Sequence, residues 1–418
     1  MSDVGRTPIA WQVYPLGFTG APVRPNGPEE RQCVHRLGHL NEWLDYVVEM
    51  GCNMLILGPI FSADTHGYDT LDFFAIDPRL GDEQDFDALA QGCSERGIQL
   101  VLDGVFNHVA ASHELVQTAL AHGQNSSESE LFRIDFAADP PRPAVFEGHE
   151  SLVSFNHDSA AVADLVVEVM CYWAAKGVAG WRLDAVYAID PDFWPGVLER
   201  VRDQYPDVFI FGEMIHGDYV DYVQRSTIDS VTQYELWKAC WSALRDENFF
   251  ELQWTLQRHN ALLETFVPIT FVGNHDTSRI ASQVGDSKAV LAATLLFTLP
   301  GHPVVYYGDE LGWHAHKEEK LGGDDAVRPM FPANPAQIEE HNQWMLSLYR
   351  ELIALRRNFP QVTNGRVYDD EVSNTRLVYH VDDAHGQRVF DVELDVTERP
   401  TARVWVDGEQ RFSWEAAC

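Results

Sequence analysis

Short apolar runs alternate along the chain with longer stretches whose apolar residues recur three or four positions apart. The first kind reads as buried parallel strands, the second as helices packed on one face. Residues 9–14 open as a strand, and 38–50 follow as a helix through Leu40, Trp43, Leu44, Val47 and Val48. Residues 54–57 make a second strand. The spacing of Phe86, Leu89 and Ala90 then predicts a helix over 85–96, with Gly97 as its stop before a third strand at 98–102. The order continues with helix 160–176, strand 180–183, helix 191–204 and strand 208–211, then strands at 229–232, 269–272 and 304–307. Eight strands in this rhythm predict an α/β chain folded as a (β/α)8 barrel.

Two segments depart from the rhythm. Residues 109–156, rich in Ser, Glu, Pro and His, interrupt the third β/α unit, and Asp139-Pro140-Pro141-Arg142-Pro143 supplies a rigid turn there. A connection of that length predicts a functional insertion. From about 366 to 418 the pattern turns period-two, as at 375–379 and 402–406, which predicts a small antiparallel β domain. The barrel would then comprise 1–108 and 157–365.

Composition narrows the classes of function. A chain of 418 residues with 45% hydrophobic content can bury a large core, which excludes a disordered polypeptide. The net charge of −34, with five lysines among 30 basic residues, excludes nucleic acid and acidic membrane as partners and favours neutral or cationic small molecules. No apolar stretch reaches ~18 residues, and Met1–Arg6 lacks a basic segment leading into an apolar one, so a cytoplasmic protein is expected. Cys33, Cys52, Cys93, Cys171, Cys240 and Cys418 have no paired spacing, which fits reduced thiols better than a disulfide frame or a zinc site. Oligomeric state is not legible.

The candidate chemistry sits in four short strings at predicted strand ends: Asp103 to His108, Arg182-Leu183-Asp184, Phe211-Gly212-Glu213 and Gly273-Asn274-His275-Asp276. Singly, each has a structural reading as a loop cap or a buried ion pair. In order at successive strand ends they describe a glycosidase site. Retaining cleavage needs two carboxyl groups ~5 Å apart, and neighbouring parallel strands are ~4.8 Å apart, so Asp184 and Glu213 suit nucleophile and acid/base. Arg182, two residues before Asp184 and on the same face, would keep that carboxylate ionised, whereas Glu213 needs a drier setting that holds its proton. Asp276 is the third carboxylate, set to stabilise the positive charge of the transition state. His108 and His275 can donate to sugar hydroxyls, Tyr68 offers a stacking face, and His216 is a candidate for the neighbouring subsite.

These strings resemble the signatures of the α-amylase family of glycoside hydrolases: Asp103 to His108, Gly180-Trp181-Arg182-Leu183-Asp184, Gly212-Glu213 and Asn274-His275-Asp276. His66 to Asp72, Ile76 to Gly81 and Val305 to Glu310 are also similar to family segments, so the resemblance spans nearly the whole chain. It implies a retaining α-glucan enzyme with Asp184, Glu213 and Asp276 in the three roles above and a sugar site lined by Tyr68, Asp103, His108, Arg182 and His275. The insertion would be the family's domain B and the carboxyl-terminal part a sandwich, domain C. No cofactor is required, and an optional calcium ion at Asn107 is implied.

Within the family, Gly148 to Asn156 is similar to a string of the neopullulanase and cyclomaltodextrinase group, with Val153 in place of proline. Those enzymes carry an amino-terminal domain, whereas this chain is expected to start at the barrel. Tyr187 stands where many α-amylases have lysine, and Thr65 where chain-end-recognising glucosidases have an acid. The expected reaction is hydrolysis of α-1,4 and optionally α-1,6 links in maltooligosaccharides, cyclodextrins or related short glucans. Transglycosylation on the same site and a non-catalytic carbohydrate-binding subunit stay open as alternatives.

Overall fold

The structure, a computed structural model, describes residues 7–417. The amino-terminal segment Met1–Arg6 and the thiol of Cys418 lie outside the described residues. Eight strands alternate with helices: β1 (Ala10–Val13), β2 (Met54–Leu57), β3 (Gln99–Gly104), β4 (Gly180–Leu183), β5 (Phe209–Gly212), β6 (Ser230–Val231), β7 (Ile269–Phe271) and β8 (His302–Tyr306). They belong to one eight-stranded parallel sheet, the expected (β/α)8 fold class. Their residues are buried almost throughout, which is why they read as continuous apolar runs rather than alternating ones.

The chain forms two compact units. One holds Tyr14–Glu42 and Ile56–Asp229; within it β4 pairs in parallel with both β3 and β5. The residues after β3 are not a bare loop. His108–Ala110 pairs antiparallel with Leu152–Ser154, and a helix, Glu114–His122, is folded between them. The expected helix over 191–204 is a 3-10 turn, Pro191–Phe193, followed by a helix at Trp194–Arg202. Pro195, without an N–H, is accommodated in that first turn.

The other unit holds the chain through Val13, Trp43–Leu55 and everything described from Ser230 onward. Here β8 pairs in parallel with β1 and with β7. Trp11 on β1 packs with Trp43, Tyr46 and Phe331, with ring centroids 5.7–6.3 Å from its own. The expected single helix over 38–50 is divided into Gly38–Asn41 and Leu44–Met50; between them lies Trp43, whose indole N–H donates to Pro332 O at 3.1 Å.

The same unit ends in five antiparallel strands, β9 (Arg366–Val372), β10 (Arg376–Asp382), β11 (Arg388–Asp395), β12 (Thr401–Val406) and β13 (Glu409–Glu415), each paired with the next. This is one meandering sheet rather than the sandwich of two sheets that the resemblance implied. A second sheet is unnecessary because helices cover the apolar face: Thr298 shares a hydrogen bond with Tyr379 on β10, and Asn260 exchanges two with the backbone of Val367 on β9. No helix among the described residues is long and apolar enough to cross a membrane.

Candidate active site

Three adjacent strands build the first cluster. Arg182 on β4 lies level with Asp103 on β3 and with Phe211 on β5, and Leu183 lies level with Gly104 and Gly212. Asp184 and Glu213 are each one residue beyond, and the ladder runs on through them: Asp184 N–H donates to Gly104 O at 3.0 Å and Glu213 N–H to Leu183 O at 2.8 Å. Gly212 is needed for this approach. A Cβ there would stand 2.6 Å from Cγ2 of Val186, so any larger residue would push the segment carrying Glu213 away from the turn after β4.

One guanidinium then binds three carboxylates. Arg182 Nη1 donates to Asp103 Oδ1 and Oδ2, both at 2.8 Å, and lies 2.8 Å from Asp184 Oδ1, while Nη2 is 2.7 Å from Glu213 Oε1. All four side chains are buried. One guanidinium thus faces three acids in a dry setting. Burial pushes the Asp103 carboxyl up to about 8, against the pull of Arg182, and the neighbouring Asp184 adds to the rise. The cluster therefore holds a proton more tightly than isolated carboxylates would.

Tyr68 and His108 close one side of this cluster. Tyr68 donates its hydroxyl to Asp103 Oδ2 at 3.1 Å, and its ring centroid lies 5.9 Å from Arg182 Cζ. Its loop is braced by Tyr14, which donates to His66 O, and by buried Arg79, which pairs with Asp77 and donates to Thr65 O. His108 sits on the ladder formed with the insertion, opposite Ser154. Its Nε2 donates to Tyr68 O at 3.0 Å, and the Asn107 amide donates to Nδ1 at 3.1 Å. These bonds fit the neutral ring, and burial pushes its pKa down to about 4. The sequence suggested a direct donor to sugar hydroxyls; here the Nε2 proton holds the Tyr68 backbone.

His216 is exposed, with its ring centroid 4.9 Å from that of Tyr187. The Tyr187 hydroxyl donates to Glu147 Oε1 at 3.1 Å, and the preceding Phe146 stacks on His108 at 4.6 Å. Sequence reading missed Phe146 and Glu147. Their spacing to the signatures carries no signal, since they reach this position through the fold of the insertion.

Around Asn107 is a cavity of about 340 Å³ whose polar lining includes Arg133, Glu147, His157 and Tyr187. Calcium takes six to eight oxygen ligands, usually with several carboxylates. This lining offers one carboxylate, already engaged by Tyr187, and it includes the cationic Arg133. The residues present do not fit a calcium site.

His275 and Asp276 belong to a second cluster, in the other unit. The Asn274 side chain accepts from Asp276 N–H at 3.0 Å and donates to the Tyr234 hydroxyl at 2.7 Å, so the turn after β7 is held from both sides. Asp276 Oδ2 lies 3.0 Å from His275 Nε2, and Oδ1 accepts from Arg328 Nη2 at 2.8 Å. Arg328 also donates through Nε to His275 O at 2.9 Å. A third of the Asp276 side chain stays open to solvent. Arg328 was not singled out in the sequence, because it arrives 52 residues later from an irregular segment with no recognisable pattern.

The catalytic domain of the alpha-amylase family matches residues 30–343. A cyclomaltodextrinase of Geobacillus thermopakistaniensis is 30% identical over 89% of this chain and 66% of its own length. A maltogenic alpha-amylase of Bacillus acidopullulyticus is 30% identical over 77% of this chain and 56% of its own. The chain therefore spans less than two thirds of the length of these relatives. Among solved structures, a cyclic alpha-maltosyl-(1→6)-maltose hydrolase from Arthrobacter globiformis in complex with its namesake saccharide superposes with a TM-score of 0.81 at 25% identity, covering 99% of both chains. With its signature residues assembled at the strand ends, the chain belongs to the α-amylase family.

Proposed function

We propose that this protein is a retaining glycoside hydrolase of short α-glucans, linear or cyclic, working by double displacement. The observation that carries the reading is the guanidinium of Arg182, which holds Asp184 with one nitrogen and Glu213 with the other. That arrangement suits the ~5 Å carboxyl pair of a retaining enzyme. Asp184 attacks the anomeric carbon while Glu213 protonates the departing glycosidic oxygen, leaving a glycosyl ester on Asp184. Glu213, now ionised, takes a proton from water, which attacks the same carbon and frees the sugar with its configuration retained.

Asp276, aligned by Arg328 and His275, stabilises the oxocarbenium-like transition state in this reading. Asp103 and Arg182 grip the sugar, Tyr68 stacks on it, His108 fixes Tyr68, and His216 borders the neighbouring subsite. No step runs through a metal ion. The substrate class is supported by the names of the relatives, which act on cyclic and maltose-based glucans. A cytoplasmic setting is supported by the free thiols of Cys33, Cys52, Cys93, Cys171 and Cys240.

The test is hydrolysis of maltotriose and cyclodextrins by the purified protein, followed by NMR of the newly formed anomer. The α-anomer appears first, and Asp184→Asn abolishes turnover. Early β-anomer would overturn the mechanism, and products longer than the substrate in excess of free glucose would assign transglycosylation instead.

A further inference from the structure

Outside the catalytic residues, the fold brings together a thiol, an imidazole and a carboxylate. Cys33, His35 and Asp82 each offer a ligand atom, and these atoms all lie within 4.8 Å of one another. We infer that Cys33, His35 and Asp82 form a binding site for a thiophilic divalent cation of the zinc type. The inference is independent of the proposed reaction. It also revises the expectation from cysteine spacing, which could not register Asp82, about fifty residues away in the sequence.

The two segments are laced together by backbone bonds. Val34 N–H donates to Pro78 O at 2.9 Å, Arg36 N–H to Leu80 O at 2.7 Å and Leu37 N–H to Leu80 O at 2.8 Å. Cys33 and His35, two residues apart on one segment, are thereby fixed beside the start of the helix Glu83–Glu95 on the other. Asp82 is the N-cap of that helix, and both capping bonds, from Gln84 and Asp85, go to Oδ1. Its Oδ2 has no hydrogen-bond partner among the described residues. A ligand carboxylate is therefore held in place with one oxygen to spare.

A second observation points the same way. Asp85 Oδ2 lies 2.7 Å from His35 Nδ1, and the same oxygen accepts from Asp82 N–H at 2.9 Å. A carboxylate on one ring nitrogen sets the tautomer and orientation of a metal-binding histidine. The donor set selects the ion: sulfur and nitrogen beside a single carboxylate favour zinc or cobalt over calcium or magnesium. In tetrahedral zinc sites the ligand atoms stand roughly 3.3–3.8 Å apart. Closing from the present spacing needs only side-chain rotation, which the exposed Cys33 and His35 permit. As the sulfur–metal bond forms, the thiol proton passes to solvent, and the thiolate and carboxylate balance the two positive charges. Water fills the fourth position. The bound ion would clamp the segment before Gly38 onto the helix start.

The test is titration of the full-length, untagged, reduced protein with Co2+, watching the near-ultraviolet sulfur-to-cobalt charge-transfer band. The expected result is a band that saturates at one equivalent, disappears on addition of Zn2+ and is absent in Cys33→Ser. His35→Ala and Asp82→Asn should weaken binding at least tenfold, the asparagine retaining the helix cap. Cys171→Ser, altering a half-buried thiol elsewhere, should leave the band intact. Circular dichroism and the unfolding midpoint without metal verify that each variant is folded. No band in the wild type, or a band that survives Cys33→Ser, overturns the proposal.

Discussion

The two acidic clusters solve different electrostatic problems. Around Arg182, three buried carboxylates share one guanidinium. Around Arg328, Asp276 has an arginine on one oxygen and a histidine on the other; that arginine also lies 3.4 Å from Asp324, and Asp276 remains partly open to solvent. Burial, with the neighbouring acids, keeps a proton within the first cluster and couples its members, which suits groups that must exchange protons and form bonds. Asp276, paired with Arg328 and His275 and open to water, suits a group that only stabilises charge.

Removing each cluster's cation breaks the comparison most directly. Arg182→Ala removes the guanidinium that three buried carboxylates share, and the expected cost is about 3–5 kcal/mol in urea unfolding, with activity on maltotriose lost. A variant as stable as the wild type would show that the shared cation is not what holds the cluster. Arg328→Ala should lower kcat by roughly 10²-fold through misplacement of Asp276, and cost about 1–3 kcal/mol in stability, less than Arg182→Ala, because the buried guanidinium gives up its bonds to His275 O and Asp276 while Asp276 keeps solvent contact. Equal stability losses in the two variants would erase the distinction drawn between them.

The shared proton can be read from pH. Asp103 titrates near 3.9 when unfolded and at about 8 when folded. The folded form binds the extra proton between those values, so this contribution to stability is complete below about pH 4 and is lost as pH rises through about 8. The unfolding midpoint of the wild type should fall over that window more steeply than that of Asp103→Asn. Parallel slopes would place the proton elsewhere. The smallest effect is expected from Tyr68→Phe, which removes one hydrogen bond to Asp103 and should cost about 1 kcal/mol of transition-state binding, near fivefold in kcat/KM. No change would leave Tyr68 with a stacking role alone.

The strands that carry the first cluster were legible because both of their faces are buried, so 98–102 and 208–211 stand out as largely apolar runs and 180–183 as one broken by Arg182 alone. The acids after them were legible for a related reason: a charged residue within two positions of the end of such a run is conspicuous. Arg328 gave no comparable signal, since a guanidinium can arrive from any irregular segment and its identity carries no address. Pro195 and Trp43 show a subtler shortfall. Periodicity located both helices but not their breaks, which fall beside Pro195, a residue without an N–H, and beside Trp43, whose indole is bonded to Pro332 O.

By itself the sequence determined the β/α order, the strand ends and the residues placed there, because burial and chain direction are local consequences of side-chain type. Only the tertiary structure decided which carboxylates each guanidinium holds, how the insertion sets Phe146 against His108, and that Cys33 and His35 meet Asp82. Those are distances between segments remote in the chain, fixed by packing and backbone hydrogen bonds, and no local pattern of residues encodes them.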